Sequence, residues 1–137
     1  MTTDAQFVRS SFDAIASQGD QFTDRFFQHF FEAAPQVHSL FPSDMTQLKN
    51  SLWSTIGLVA KNADNLSALS GQFADMGTNH AGYGVKPEYY AVFCETLVAT
   101  FAEFSGTEWN NEFEGAWTRV FDSVTQMMFR GIAKKAA

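Results

Sequence analysis

Five phenylalanines fall within one ten-residue stretch: Phe22, Phe26, Phe27, Phe30 and Phe31. Their spacing of three, four and one follows a helix, but they cover more of its circumference than a single apolar stripe. A helix of this kind cannot lie on a surface with one face in water. It must be sandwiched between neighbours, so the chain needs packed layers of helices on both sides of it.

The rest of the sequence supplies those neighbours. Nearly every segment has helical periodicity, and no run alternates with period two for long enough to propose a sheet. The chain is read as all-α. A first helix is predicted from Thr3 to Ser17, ended by Gln18-Gly19-Asp20, and the phenylalanine helix from Gln21 to Ala34. Pro35 opens a short helical turn that closes in Leu40-Phe41-Pro42. Ser43-Asp44 can cap a helix from Met45 to Lys61, with Leu48, Leu52, Ile56 and Val59 on one face. Leu66 to Ala81 forms the next, with a break expected near Gly71, and Lys86-Pro87-Glu88 starts another that runs to Phe104. Thr107 or Asn110 caps a last helix containing Phe113, Trp117, Val120, Phe121, Val124 and Met128.

At 137 residues the chain is long enough for one domain, 1–137, that buries roughly two-thirds of its unfolded surface without cross-links. Phe supplies 15 positions against 3 Tyr and 3 Trp. Such an interior suits a flat apolar guest, and equally a core that packs only on itself. A net charge of −6 with 9 Lys and Arg scattered along the chain argues against nucleic acid, which needs clustered cations. Cys94 is the one cysteine, which excludes an intrachain disulfide and a cysteine-based zinc site and suits a reducing, cytoplasmic setting. The start, Met1-Thr2-Thr3-Asp4, has no basic region followed by an apolar run. No stretch approaches the ~20 apolar residues of a membrane span.

One residue interrupts the apolar pattern. Leu66, Leu69, Phe73 and Met76 share a helix face, and His80 continues it four residues after Met76. Its helix ends at once in Gly82-Tyr83-Gly84. On spacing alone, His80 is either a hydrogen-bonded core histidine or a metal ligand. His29, His38 and His80 have no histidine partner three or four residues away, so a multi-histidine metal site is not expected, and His29 and His38 read as surface or structural residues. Cys94, in an apolar setting without a local activating group, reads as a buried inert thiol. Glu88, Glu95 and Glu103 read as solvated.

Several motifs, taken in order, give the chain a family likeness. Phe26-Phe27-x-x-Phe30-Phe31, Pro35, Ser39-Leu40-Phe41-Pro42, His80-x-x-Tyr83-Gly84-Val85-Lys86-Pro87-Glu88-Tyr89-Tyr90 and Ala116-Trp117 together resemble a bacterial single-domain globin and the haem domain of flavohaemoglobins. The resemblance implies a globin fold of six to seven helices around a haem pocket. It implies haem b with His80 as the axial iron ligand and the opposite iron position open to oxygen, carbon monoxide or nitric oxide. Phe41 matches the ring that packs on the porphyrin, and Met76, Val85, Phe93 and Leu97 match further pocket positions. Tyr90 matches the residue that supports the proximal histidine by hydrogen bonding.

The likeness is incomplete where gas chemistry is decided. Phe27 stands where flavohaemoglobins have a distal tyrosine, Leu48 where they have a glutamine, and Leu52 matches their distal leucine. A register shift of one residue brings Gln47 into the pocket in place of Leu48. Ile132 stands where the family has a proximal glutamate, so its tyrosine–glutamate–histidine relay is broken. A hydrogen bond to a charged group contributes about 1.5–3 kcal/mol, a factor of roughly ten to a hundred or more in affinity. Without that bond the resemblance implies fast oxygen release, comparatively strong carbon monoxide or nitric oxide binding, and ready oxidation of the iron. Reversible binding or transport of a diatomic gas is the expected role. The alternatives are nitric oxide dioxygenation with a separate reductase, and a haem-free helical interaction module.

Overall fold

A computed structural model describes residues 3–136; Met1 and Thr2, used above for the amino-terminal pattern, and Ala137 lie outside the described residues. Six α-helices run in order: α1 (Asp4–Ile15), α2 (Gly19–Ala33), α3 (Thr46–Lys61), α4 (Ser70–Gly82), α5 (Pro87–Ser105) and α6 (Asn111–Ala136). Short 3₁₀ turns follow α1 (Ala16–Gln18), α2 (Pro35–Leu40), α3 (Leu66–Leu69) and α5 (Gly106–Glu108). The fold is all-α, as expected, with no strand among the described residues. None of the described helices is long and apolar enough to cross a membrane.

Local chemistry sets most of the boundaries. Thr3 and Gln6 form a reciprocal capping box at α1. Asp44 Oδ1 accepts the Thr46 amide at 3.0 Å, and Pro87 occupies the first turn of α5. Of the two candidate caps for α6, Asn110 is the one used: its Oδ1 accepts the amides of Glu112 and Phe113 at 2.9 and 3.2 Å. The break expected near Gly71 falls between Leu69 and Ser70, where a 3₁₀ turn passes into α4.

Gly19 is a correction. Predicted to end the first helix, it instead opens α2 with helical torsions, φ −57° and ψ −42°. The Trp53 indole of α3 lies against it so closely that a Cβ there would collide with the ring. Glycine is present for packing across 34 positions of sequence, a demand that no local pattern reveals.

The phenylalanine helix is enclosed as its composition requires. Phe22, Phe26, Phe27 and Phe30 are all buried. Phe22 meets Phe101 and Trp53 at ring separations of 4.6 and 5.0 Å, and Phe26 meets Phe93 edge-on at 4.8 Å. Trp117 of α6 is fully buried, stacks on Phe101 at 4.1 Å and donates from Nε1 to Ser11 Oγ at 2.8 Å. This satisfies the indole in the core and ties α6 to α1.

Candidate functional site

The site is built from the end of α4. Val85 donates its amide to the His80 carbonyl at 3.0 Å, and Gly84 donates to the Ala81 carbonyl at 3.1 Å. These two bonds, with Gly84 at φ +87°, make a Schellman cap, whose left-handed position strongly favours glycine. The cap holds His80 in the last helical turn and folds Val85 back beside it. The Gly82-Tyr83-Gly84-Val85 sequence therefore fixes the setting of the histidine.

His80 Nδ1 lies 2.7 Å from the Met76 carbonyl oxygen. A carbonyl can only accept, so Nδ1 carries the proton, and in the neutral ring the lone pair is on Nε2. The side chain lines a cavity of about 370 Å³, within the usual range for small-molecule sites.

Every pocket residue expected from sequence lines this cavity. On one side are Phe27 of α2 and Leu48 and Leu52 of α3, with Phe41 from the turn that connects them. On the other are Met76 and His80 of α4, Val85 beyond its end, and Tyr90, Phe93 and Leu97 of α5. Phe27 and Phe41 meet edge-on at 5.6 Å. Leu48 is on the wall, whereas Gln47 is exposed and off it. Ile132 does not line the cavity, and no charged side chain does among the described residues.

Two hydroxyls on α3 were not expected from sequence. Ser51 and Thr55 of α3 also line the cavity, so that wall is less apolar than Leu48 and Leu52 imply. Helical spacing could have found them, since they lie three and seven residues after Leu48 on the same face. Cys94, expected to be a buried thiol, differs in its exposure. It is half-buried, lines the cavity and places Sγ 3.6 Å from Thr125 Oγ1 of α6. Burial pushes its pKa up, so the group is a thiol.

Tyr90 is placed as expected but does not make the expected bond. Its ring lies 6.5 Å from that of His80, centroid to centroid, yet its hydroxyl is fully buried without a hydrogen-bond partner. His80 Nδ1 already donates to the Met76 carbonyl, one turn back on its own helix. That local bond takes the one proton a tyrosine could otherwise have shared. His29 and His38 are away from the cavity: His29 Nε2 pairs with Glu103 at 2.9 Å, and His38 packs edge-on against Phe31 at 4.5 Å.

The architecture around this histidine has clear relatives. A flavohemoprotein of Vibrio cholerae is 26% identical over 125 residues, covering 88% of this chain and 31% of that protein. The chain thus spans about a third of the length of that curated relative. A leghemoglobin of Psophocarpus tetragonolobus is 30% identical over 126 residues, covering 85% of this chain and 87% of its own. Among solved structures, an engineered carbene transferase, a proposed nitric oxide dioxygenase of Rhodothermus marinus, superposes with a TM-score of 0.84 at 25% identity over 97% of this chain and 93% of the other. The family model described as Globin matches residues 24–128, which run from the phenylalanine helix to the cavity wall of α6. With six helices enclosing a cavity that one histidine enters from the end of its helix, the chain belongs to the globin family.

Proposed function

We propose that this globin binds haem b through Nε2 of His80 and takes up a diatomic gas reversibly on the α2–α3 side of the cavity. The observation that carries this reading is the 2.7 Å bond from His80 Nδ1 to the Met76 carbonyl. It fixes the tautomer that presents an unprotonated nitrogen to the cavity, as a metal-ligating imidazole requires. The remaining wall fits a flat apolar macrocycle, with Phe41, Met76, Val85, Phe93 and Leu97 contributing no charge.

Bound there, haem would be held by His80 and would supply an iron able to bind a diatomic gas. The chain's own residues then set selectivity. The partner of His80 Nδ1 is a neutral carbonyl, and no carboxylate lines the wall among the described residues, so nothing there adds negative charge to the imidazole. Phe27, Leu48 and Leu52 exclude water and donate no hydrogen bond. Ser51 and Thr55 are the hydroxyls on that side, and their reach decides how much of a gas ligand's negative charge is met. The apolar wall supports rapid oxygen release and comparatively strong binding of less polar gases.

Replacing His80 with Gly tests the assignment. The purified protein should show an intense Soret band, the variant should lose the histidine-ligated spectrum, and added imidazole should restore it. Unchanged spectra and haem affinity in the variant would exclude His80 as the ligand.

Likeness to a flavohemoprotein and to a proposed nitric oxide dioxygenase favours a second reading, dioxygenation of nitric oxide with electrons from a separate reductase. Stopped-flow mixing of the oxygenated protein with nitric oxide separates the two. Repeated turnover with a reductase supports the enzyme, and a single stoichiometric reaction supports gas binding.

A further inference from the structure

A second cavity, of about 270 Å³, opens between the end of α1, the end of α5 and the start of α6. It shares no lining residue with the cavity of His80. Trp109 and Phe113 line it together, both half-buried, with ring centroids 5.7 Å apart and planes 23° from parallel. Glu108 is the one charged residue on its wall, and it pairs with no cation among the described residues. The nearby arginines are engaged elsewhere, Arg9 with Asp64 and Arg119 with Asp4.

The other polar features of this wall carry the same sign. α1 and α5 end on it, at Ile15 and Ser105, and the last turn of a helix bears partial negative charge. Ser10 gives its hydroxyl proton to the Phe7 carbonyl at 3.2 Å, so toward the cavity its oxygen can only accept. The positive end of α6, which reaches the wall at Phe113, is already met by Asn110 and by two carboxylates in its first turn.

We propose that this cavity binds a small organic ammonium ion, with its charge beside the Glu108 carboxylate and its alkyl groups against Trp109 and Phe113. Aromatic rings attract such cations, and the volume, just under the usual range for drug-sized ligands, suits a smaller guest. A bare metal ion lacks ligands there, since no group of three metal-binding side chains exists among the described residues. The site is separate from the haem cavity and does not depend on what His80 holds.

The test uses choline as the probe and the purified protein, reduced and under carbon monoxide. The chain has three tryptophans, so nuclear magnetic resonance shows three indole N–H signals, and Trp109→Phe identifies one by its loss. Choline should move the Trp109 signal saturably in the millimolar range, at ionic strength matched with sodium chloride, and leave those of Trp53 and Trp117 in place. The neutral isostere 3,3-dimethylbutan-1-ol should not move it. Glu108→Gln should weaken choline roughly fivefold, with the Trp53 and Trp117 signals unmoved as the check that the variant is folded. A Trp109 signal that choline does not shift overturns the proposal. Equal binding of the neutral alcohol overturns it as well, because shape rather than charge is then recognised, and so does unchanged choline affinity in Glu108→Gln.

Discussion

The two helices that face each other across the cavity are held in different ways. α4, which carries His80, is pressed backbone to backbone against α6. A Cβ on Gly77 would overlap the Met128 carbonyl, and a Cβ on Gly131 would overlap the Ala74 carbonyl. Both glycines are buried, one on each helix, so the approach is closed from both sides. α3 buries Ile56, Val59 and Ala60 toward its end, while Leu48 and Leu52, which face the cavity, are half-buried. Trp53 packs its side chain on Gly19 and Phe22 of α2, and the turn before it is joined to α2 by the partly exposed Lys49–Asp24 pair at 2.9 Å, an interaction of a kind that contributes ~1 kcal/mol or less. The protein thus fixes the wall that carries His80 and leaves Leu48 and Leu52 opposite it as half-buried side chains that exchange at little cost.

Breaking the tight wall has the largest expected effect. Gly77→Leu drives a side chain into the α6 backbone and should cost about 3 kcal/mol of stability, read from urea denaturation, with loss of haem retention in the same sample. A variant as stable as wild type would show that the α4–α6 approach is relaxed in solution.

The loose wall should respond in function rather than in stability. Leu48→Gln replaces an apolar side chain with one of similar length that can donate a hydrogen bond. Oxygen dissociation should slow by roughly ten- to a hundredfold, measured by stopped-flow displacement with carbon monoxide, while the urea midpoint moves little. An unchanged rate would mean that Ser51 or Thr55 already provides that bond.

The smallest expected effect tests the join between α4 and the cavity. Gly84→Ala puts a Cβ into the left-handed conformation at φ +87°, which costs about 1–2 kcal/mol. The thermal midpoint should fall accordingly. The haem spectrum should change less than in Gly77→Leu, because the α4–α6 contact is preserved.

The features legible in sequence are those decided within one helical turn or by a long apolar period. Asp44, Pro87 and Asn110 mark helix starts because capping is local. The wall residues follow from helical spacing combined with the family likeness, which brought His80, Tyr90 and Phe93 into one site from α4 and α5. What escaped depends on partners distant in the chain. Gly19 reads as a helix end until Trp53 lies on it, and nothing near Gly77 announces Met128, 51 residues on. Thr125 carries no signal of its own until α6 brings it to Cys94. The mistaken bond at Tyr90 has a different origin. The motif correctly put the ring beside His80, but hydrogen bonding there is a competition, and the carbonyl one turn back wins it.

The close approach of α4 and α6 also has a consequence during synthesis. The groove that receives Ala74 and Gly77 is formed by Met128 and Gly131, close to the end of the last helix. A nascent chain can emerge with His80 already translated and still lack the surface that clamps its helix. Capture of the haem proposed to bind there should therefore follow emergence of Met128 and Gly131 rather than emergence of His80.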